Sequence, residues 1–370
     1  MLDPEGISIR DTLLALFGAG ADRPLDDDAF DRHARCIFTY AFDHVPAYAG
    51  YCRARGIHDG VVAGWRDIPA VPSAAFKELR LLADGATAEA VFRTSGTTRG
   101  PERRGEHHVA DLGLYRASLR PAFRTFMLPD DAAARFFSLM PPAPLLPDSS
   151  LAFMIDDVMA AMGGPGSGSF ADLSGLDGTG LARAAREAEA DGVPVLLLGT
   201  SAAFIHWLDD LARDGARLRL PEGSRLMDTG GFKGGGRGVR PAQLRDAYAD
   251  RLGIPPHACV NEYGMTEMLS QLYDITLREG VGEADPRPKA GPPWVRSVAV
   301  DPETLAPLAR GADGLLRHVD LANLGSVPAI QTEDFGRVDE RGRVRVEGRA
   351  AGAPPRGCSI AMDLLLREGR

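Results

Sequence analysis

Lysine is nearly missing from this chain of 370 residues: Lys77, Lys233 and Lys289 are the only three, and the other 39 of its 42 cationic side chains are arginine. Cysteine is sparse as well. Cys36, Cys52, Cys259 and Cys358 stand far apart with no C-x-x-C pair, which excludes a disulfide framework and a cysteine-rich zinc site and fits a reducing cytoplasm. The longest apolar run, around Val193 to Leu198, falls far short of the ~18–20 residues that span a bilayer, so no membrane segment is expected. Acids at Asp3 and Glu5 stand where a signal peptide needs basic residues. The formal charge of -9 argues against general nucleic-acid binding, which is built from clustered cations. Any phosphate chemistry must therefore use a local positive pocket.

What is present has an average globular composition, 44% hydrophobic and 25% charged, and a length that allows two to three domains. Apolar positions Phe30, Ala34, Ile37, Phe38 and Ala41 form one face of a helix from Asp26 to Phe42, and the first ninety residues read as mainly helical. Strands alternating with helices follow: a strand at Ala90–Phe92, a helix from about Val109 to Phe126, a strand at Phe136–Leu139 and a helix opened by Ser149. Pro194–Gly199 then reads as a buried strand, with Thr200 or Ser201 capping the next helix. That alternation predicts parallel sheets with crossover helices, and a β-rich part from about residue 254 ends in a hairpin over Phe335–Val346. The glycine-rich stretch 163–169 reads as a mobile surface loop. Cys36 and Cys259 read as core residues and Cys52 as a surface one.

Three segments carry chemistry. Thr94-Ser95-Gly96-Thr97-Thr98-Arg99-Gly100-Pro101 combines glycines, which let backbone N–H groups approach an anion, with four hydroxyls that can donate to phosphate oxygens. It is not a Walker loop, since no G-x-x-x-x-G-K-[ST] occurs. Asn261-Glu262-Tyr263-Gly264-Met265-Thr266-Glu267 supplies an aromatic suited to stack on a base and a carboxylate suited to Mg²⁺. Gln331-Thr332-Glu333-Asp334 offers an acid that can accept from ribose hydroxyls. Lys233, inside Gly230-Gly231-Phe232-Lys233-Gly234, and Arg237 are candidate phosphate cations, and one of His107 and His108 could polarise a carboxylate.

In that order these segments resemble the adenylate-forming superfamily, and within it the LuxE acyl-protein synthetases. Val71–Lys77, Pro194–Phe204, Thr229–Gly234, Ser270-Gln271, Asp320–Asn323 and Pro355–Cys358 add to the likeness, which runs from about residue 65 to the C-terminus. Arg99 and Glu102 are its departures from the superfamily loop. The resemblance implies an α/β fold, the N-terminal core of an adenylate-forming enzyme. The expected organisation is a helical region 1–64, a core 65–349 and a tail 350–370. With no lysine after Lys289, the usual mobile lysine-bearing lid domain is expected to be lacking.

The implied reaction joins a carboxylic acid, of fatty type in this family, to ATP with release of pyrophosphate. The acyl group then moves to a cysteine thiol for delivery to an acyl reductase or acyl-carrier protein. Carried over residue by residue, the catalytic set is Cys358, Glu267, Thr266 and His107, with Glu267 on Mg²⁺. The nucleotide set is Thr94, Ser95, Gly96, Thr97, Thr98, Gly230, Gly231, Lys233, Asn261, Glu262, Tyr263, Gly264, Asp334 and Arg349. Arg356 lies two residues before Cys358, where a cation favours thiolate, and the tail from Arg349 to Cys358 spans roughly 30 Å if extended. The alternatives are a ligase that passes acyl-adenylate to coenzyme A or a carrier thiol, and a non-catalytic nucleotide-binding subunit of an acyl-processing complex.

Overall fold

Strands covered on both faces need apolar side chains at successive positions, and Val195–Thr200 is buried along nearly its whole length. It lies in a computed structural model that describes residues 2–95, 104–230, 239–280, 285–349, 358–359, 361–362 and 365–366. The chain divides into two compact units. One comprises residues 1–122, 265–271 and 290–370, and the other residues 123–264 and 272–289.

The second unit is a parallel sheet. Its strands run in the order Gly168–Ser169, Arg135–Ser138, Val195–Thr200, Arg225–Thr229 and Cys259–Tyr263, with Leu272–Asp274 antiparallel to the last of these. Helices Ser150–Met162, Gly178–Asp191, Ser201–Arg213 and Pro241–Leu252 fall between successive strands as crossovers. Each of the first three starts on a polar cap: Ser149 accepts from Ala152 N at 3.2 Å, Asp177 from Gly180 N at 2.8 Å and Thr200 from Ala203 N at 3.1 Å. The apolar faces of the last three of these helices meet in one core that includes Leu197, Phe204, Trp207, Leu226, Tyr248 and Cys259.

The first unit opens with helices Pro4–Gly18, Asp27–His44 and Pro46–Ala54. Phe30 packs edge-on to Trp65 at 5.4 Å, and burying it contributes about 1.5–3 kcal/mol. From Arg55 to Glu89, where the sequence reads as helical, the described helices are two short 3-10 turns, Trp65–Asp67 and Ser73–Lys77, in a stretch interrupted by Pro69 and Pro72. Ala90–Arg93 pairs antiparallel with Glu106–Val109 as a separate hairpin, not as a member of the parallel sheet. Val295–Val300, Asp313–Asp320, Ala329–Val338 and Val344–Arg349 form an antiparallel meander, with Val71–Pro72 parallel to the third strand. The last hairpin turns at Asp339–Gly342, where Gly342 has φ +77 and Asp339 Oδ1 accepts from Arg341 N and Arg343 N, each at 2.9 Å. At Gly336 a Cβ would collide with the Arg345 carbonyl, so glycine is needed where a register shift draws the two strands together.

Three local expectations change. The glycine-rich stretch is built into the sheet: Gly164 N donates to Ala134 O at 2.8 Å, Ser167 Oγ accepts from Phe136 N at 2.8 Å, and Gly168–Ser169 pairs with Phe137–Ser138. Cys36 is exposed, because it falls off the stripe of Phe30, Ala34, Ile37 and Ala41. Cys52 is fully buried, on the face of its helix shared with Tyr48 and Tyr51.

Candidate active site

Hydroxyl donors need a fixed backbone, and the hairpin supplies it where the candidate segment begins at Thr94 and Ser95. Thr94 N donates to Gly105 O at 2.9 Å, Thr94 Oγ1 accepts from Gly105 N at 2.9 Å, and Arg104 Nε donates to the Thr94 carbonyl at 2.6 Å. Ser95 follows, exposed. Gly96, Thr97, Thr98, Arg99 and Glu102 lie outside the described residues, as do Gly231, Lys233, Arg237 and Arg356.

His107, on the second strand of this hairpin, is buried, with Nδ1 2.7 Å from the Thr266 carbonyl. Burial pushes its pKa down to about 4, so it is neutral near pH 7 and Nδ1 carries the donated proton. It therefore steadies the backbone of the Met265–Gln271 segment. The rest of that segment hangs from two residues at the end of strand Asp313–Asp320. Asp320 Oδ2 accepts from Leu269 N at 2.9 Å and Ser270 N at 2.8 Å, and Asp320 Oδ1 accepts from Ser270 Oγ at 2.7 Å and Ala322 N at 3.0 Å. Asn323 donates through Nδ2 to the Glu267 carbonyl at 2.9 Å and accepts from Leu269 N at 3.1 Å. Ser118 joins Ser270 Oγ at 3.0 Å and accepts from Trp294 Nε1 at 2.8 Å. Asp320–Asn323 entered the sequence reading only as part of a likeness. Its work as a scaffold was not legible there.

None of those bonds goes to the Glu267 carboxylate, which has no side-chain hydrogen-bond partner among the described residues. Burial pushes its pKa up to about 7; Asp334 adds to the rise, while Arg349 and Lys77 act against it. A buried carboxylate without a side-chain partner fits a Mg²⁺ ion that takes one protein carboxylate and completes its shell with phosphates and water. No cluster of three or more metal-ligating side chains occurs among the described residues. Asp334 and Arg349 face each other across paired strands, with Arg349 Nε 3.7 Å from Asp334 Oδ1 and 3.9 Å from Glu333 Oε2.

Asn261–Gly264 belongs to the other unit, on the strand that ends at Tyr263. Asn261 Nδ2 donates to Asp228 Oδ1 at 2.7 Å and Asn261 N to Asp274 Oδ2 at 3.0 Å. Lys289 Nζ donates to Asn261 O and Oδ1, both at 2.8 Å, and to Asp274 Oδ1 at 2.7 Å. Tyr248 OH donates to Asp228 Oδ2 at 2.9 Å, and Thr229 Oγ1 donates to Glu262. Burial pushes Glu262 up to about 7. Asn261 and Glu262 are thus occupied within the unit, and Tyr263, only partly buried, and Gly264 close the strand. Gly230 follows Arg225–Thr229 with φ +96. The sequence reading used Lys289 only as the last lysine; its burial beside an acid was not visible in one dimension.

Cys358 is 5% exposed, within a helical turn and not on an open arm. It lines a cavity of about 200 Å³ with Pro72, Ser73, Ala74, Gln331 and Glu333. Burial, reinforced by Glu333 and opposed by Arg317, pushes the thiol up to about 11, the reverse of the expected thiolate.

Against known proteins, the fold is that of the adenylate-forming enzymes. An open form of 2-hydroxyisobutyryl-CoA ligase superposes with TM-score 0.61 over 87% of this chain and 74% of its own at 14% identity. ATP-bound MatB from Rhodopseudomonas palustris superposes with TM-score 0.51 over 72% of this chain and 49% of its own at 19% identity. The model of the family described as acyl-protein synthetase, LuxE matches residues 182–366, half of the sequence, and the chain belongs to that family. A long-chain-fatty-acid–luciferin-component ligase from Aliivibrio fischeri is 35% identical over 85 residues, 21% of this chain and 22% of the relative, so the match spans about a fifth of that protein's length.

Proposed function

We propose that this protein activates a carboxylic acid with ATP and then carries the acyl group on Cys358. A carboxylate oxygen attacks the α-phosphorus and pyrophosphate leaves with the broken P–O bond. The thiol then attacks the acyl carbon, AMP leaves, and the thiol proton passes to solvent. The name of the Aliivibrio relative points to a long-chain fatty acid. The observation that carries this reading is on strand Ala329–Val338: Glu333 lines the cavity that Cys358 also lines, and the next residue, Asp334, pairs across the sheet with Arg349.

In this reading Thr94 and Ser95, with Gly96, Thr97 and Thr98, bind phosphates, Tyr263 stacks on adenine, and Asp334 accepts from ribose hydroxyls while Arg349 offsets its charge. Gly230, Gly231 and Lys233 approach the nucleotide as a second loop, and Asn261 and Glu262 fix the strand that presents Tyr263 and Gly264. His107 is a positioning residue, acting through the Thr266 carbonyl. Mg²⁺, when bound at Glu267, would supply charge neutralisation on the phosphates. The protein's own contribution is a set of donors fixed before reaction.

The measurement is exchange of labelled pyrophosphate into ATP. Exchange should require a carboxylic acid and persist in Cys358→Ala; ATP binding without acid-dependent exchange would refute the reading. Burial of Cys358 favours one second reading, in which the adenylate passes to coenzyme A or a carrier thiol. Acylated coenzyme A or carrier formed at undiminished rate by Cys358→Ala would establish that route instead.

A further inference from the structure

A buried guanidinium is costly unless an anion or enough acceptors surround it. Arg317, in the middle of strand Asp313–Asp320, is 7% exposed, and its hydrogen-bond partners among the described residues are neutral. Its Nε donates to Gln331 Oε1 at 3.3 Å, Nη1 to the Arg66 carbonyl at 3.4 Å and Nη2 to the Leu305 carbonyl at 2.6 Å. A guanidinium has five N–H groups, so two remain after these three bonds. Among the described residues no carboxylate lies within ion-pairing distance of it, although carboxylates outnumber cations in the chain as a whole.

Arg317 lines a cleft of about 220 Å³ together with Arg55, Arg66, Tyr51 and Asp67. Arg55 Nη1 donates to Tyr51 OH at 3.4 Å, and its guanidinium lies 5.5 Å from the ring centre; Tyr51 OH in turn donates to the Ala70 carbonyl at 3.0 Å. The Arg66 guanidinium rests over Trp65 at 4.4 Å. Aromatic faces thus support two of the three cations and leave much of their hydrogen-bonding capacity unused. Asp67 is the only carboxylate among the lining residues, and Asp27, whose field reaches Arg66, is already paired with Arg296. Three positive charges against one negative leave an excess that matches a dianion. Burial foremost, with Arg55 adding to it, pulls Arg317 down to about 10, the response of a cation short of negative charge.

We propose that the cleft bounded by Arg55, Arg66 and Arg317 is a binding site for a phosphate-class dianion, separate from the hydroxyl loop at Thr94. Phosphate carries about -1.5 to -2 charge at pH 7, and its oxygens accept from guanidinium forks. Free phosphate and a phosphate monoester share that chemistry.

The test is calorimetric titration of the full chain with inorganic phosphate and, separately, with methyl phosphate. Saturable binding that weakens as chloride is raised is expected, with competition by sulfate and little by acetate. Arg55 and Arg66 are exposed, so Arg55→Gln and Arg66→Gln should fold normally, as circular dichroism will check. Each should weaken binding about threefold to fivefold, and the double variant more, while acid-dependent pyrophosphate exchange stays unchanged. Tighter binding of methyl phosphate than of phosphate identifies an ester as the ligand class, and equal binding identifies the free ion. Absence of saturable binding by either probe in the millimolar range, or affinity unaltered in the double variant, overturns the proposal; the latter result would assign the phosphate to the hydroxyl loop.

Discussion

Both units hold part of one sequence motif with a buried polar network, yet the two networks are built in opposite ways. Around Asp320 a carboxylate accepts mainly from backbone N–H groups, and among the described residues no cation is bonded to it and the side chain of Glu267 is left without a side-chain partner. Around Lys289 an ammonium is clamped by Asn261 and Asp274, and Glu262 receives Thr229. The first network fixes main chain so that a side chain can act. The second ties up side chains so that a strand can end rigidly at Tyr263 and Gly264.

If that contrast is right, the ionic network should be the more sensitive to loss of one member. Lys289→Met leaves Asp274 buried without its ammonium and should cost about 3–5 kcal/mol in urea unfolding. A loss below about 1 kcal/mol would mean that Arg287, 3.8 Å from Asp274, takes over the pairing.

Glu262 and Glu267 offer a sharper comparison, since burial pushes both up to about 7 from 4.5. A carboxyl raised in the folded state binds its proton more tightly there than when unfolded. Stability should therefore fall as pH rises from about 4.5 to 7, by up to about 3 kcal/mol for each group, and level off above. Glu262→Gln and Glu267→Gln should each flatten that slope in unfolding measured across pH. ATP with Mg²⁺ should flatten the part due to Glu267 and leave the part due to Glu262; an equal effect on both would break the distinction between the two networks.

Cys358 and Cys36 make a smaller contrast. With its thiol pushed up to about 11 and buried, Cys358 should react with a thiol reagent at pH 8 about a hundredfold more slowly than an ordinary cysteine, and after exposed Cys36, as peptide mass spectrometry can follow. The smallest effect belongs to Ser270→Ala, which removes one bond from Asp320 and should cost about 1 kcal/mol while raising amide exchange in 266–270. Unchanged exchange would mean that the backbone bonds alone hold the loop.

Local pattern made much of this molecule legible. The parallel α/β unit follows from alternation of apolar strands with capped helices, and the order of the three motif segments singled out Thr94, Glu267 and Asp334 as candidates. What escaped was decided by contacts far apart in the chain. Ser118 meets Ser270 across 152 positions, Arg296 meets Asp27 across 269, and nothing near either residue announces its partner. Cys36 and Cys52 were exchanged between surface and core because membership of an apolar helix face turns on a single position. The run at 163–169 looked mobile because its glycines suggest freedom, whereas at Gly163 and Gly164 neighbouring carbonyls would lie 2.6 and 2.9 Å from a Cβ. Cys358 was legible as a position and not as an environment.

Intact and peptide mass spectrometry of the protein incubated with ATP, Mg²⁺ and a long-chain fatty acid, then denatured, tests the central claim most directly. The account predicts one acyl group, removed by hydroxylamine and mapped to the peptide that carries Cys358. An acyl group that maps elsewhere, or persists in Cys358→Ala, would contradict it.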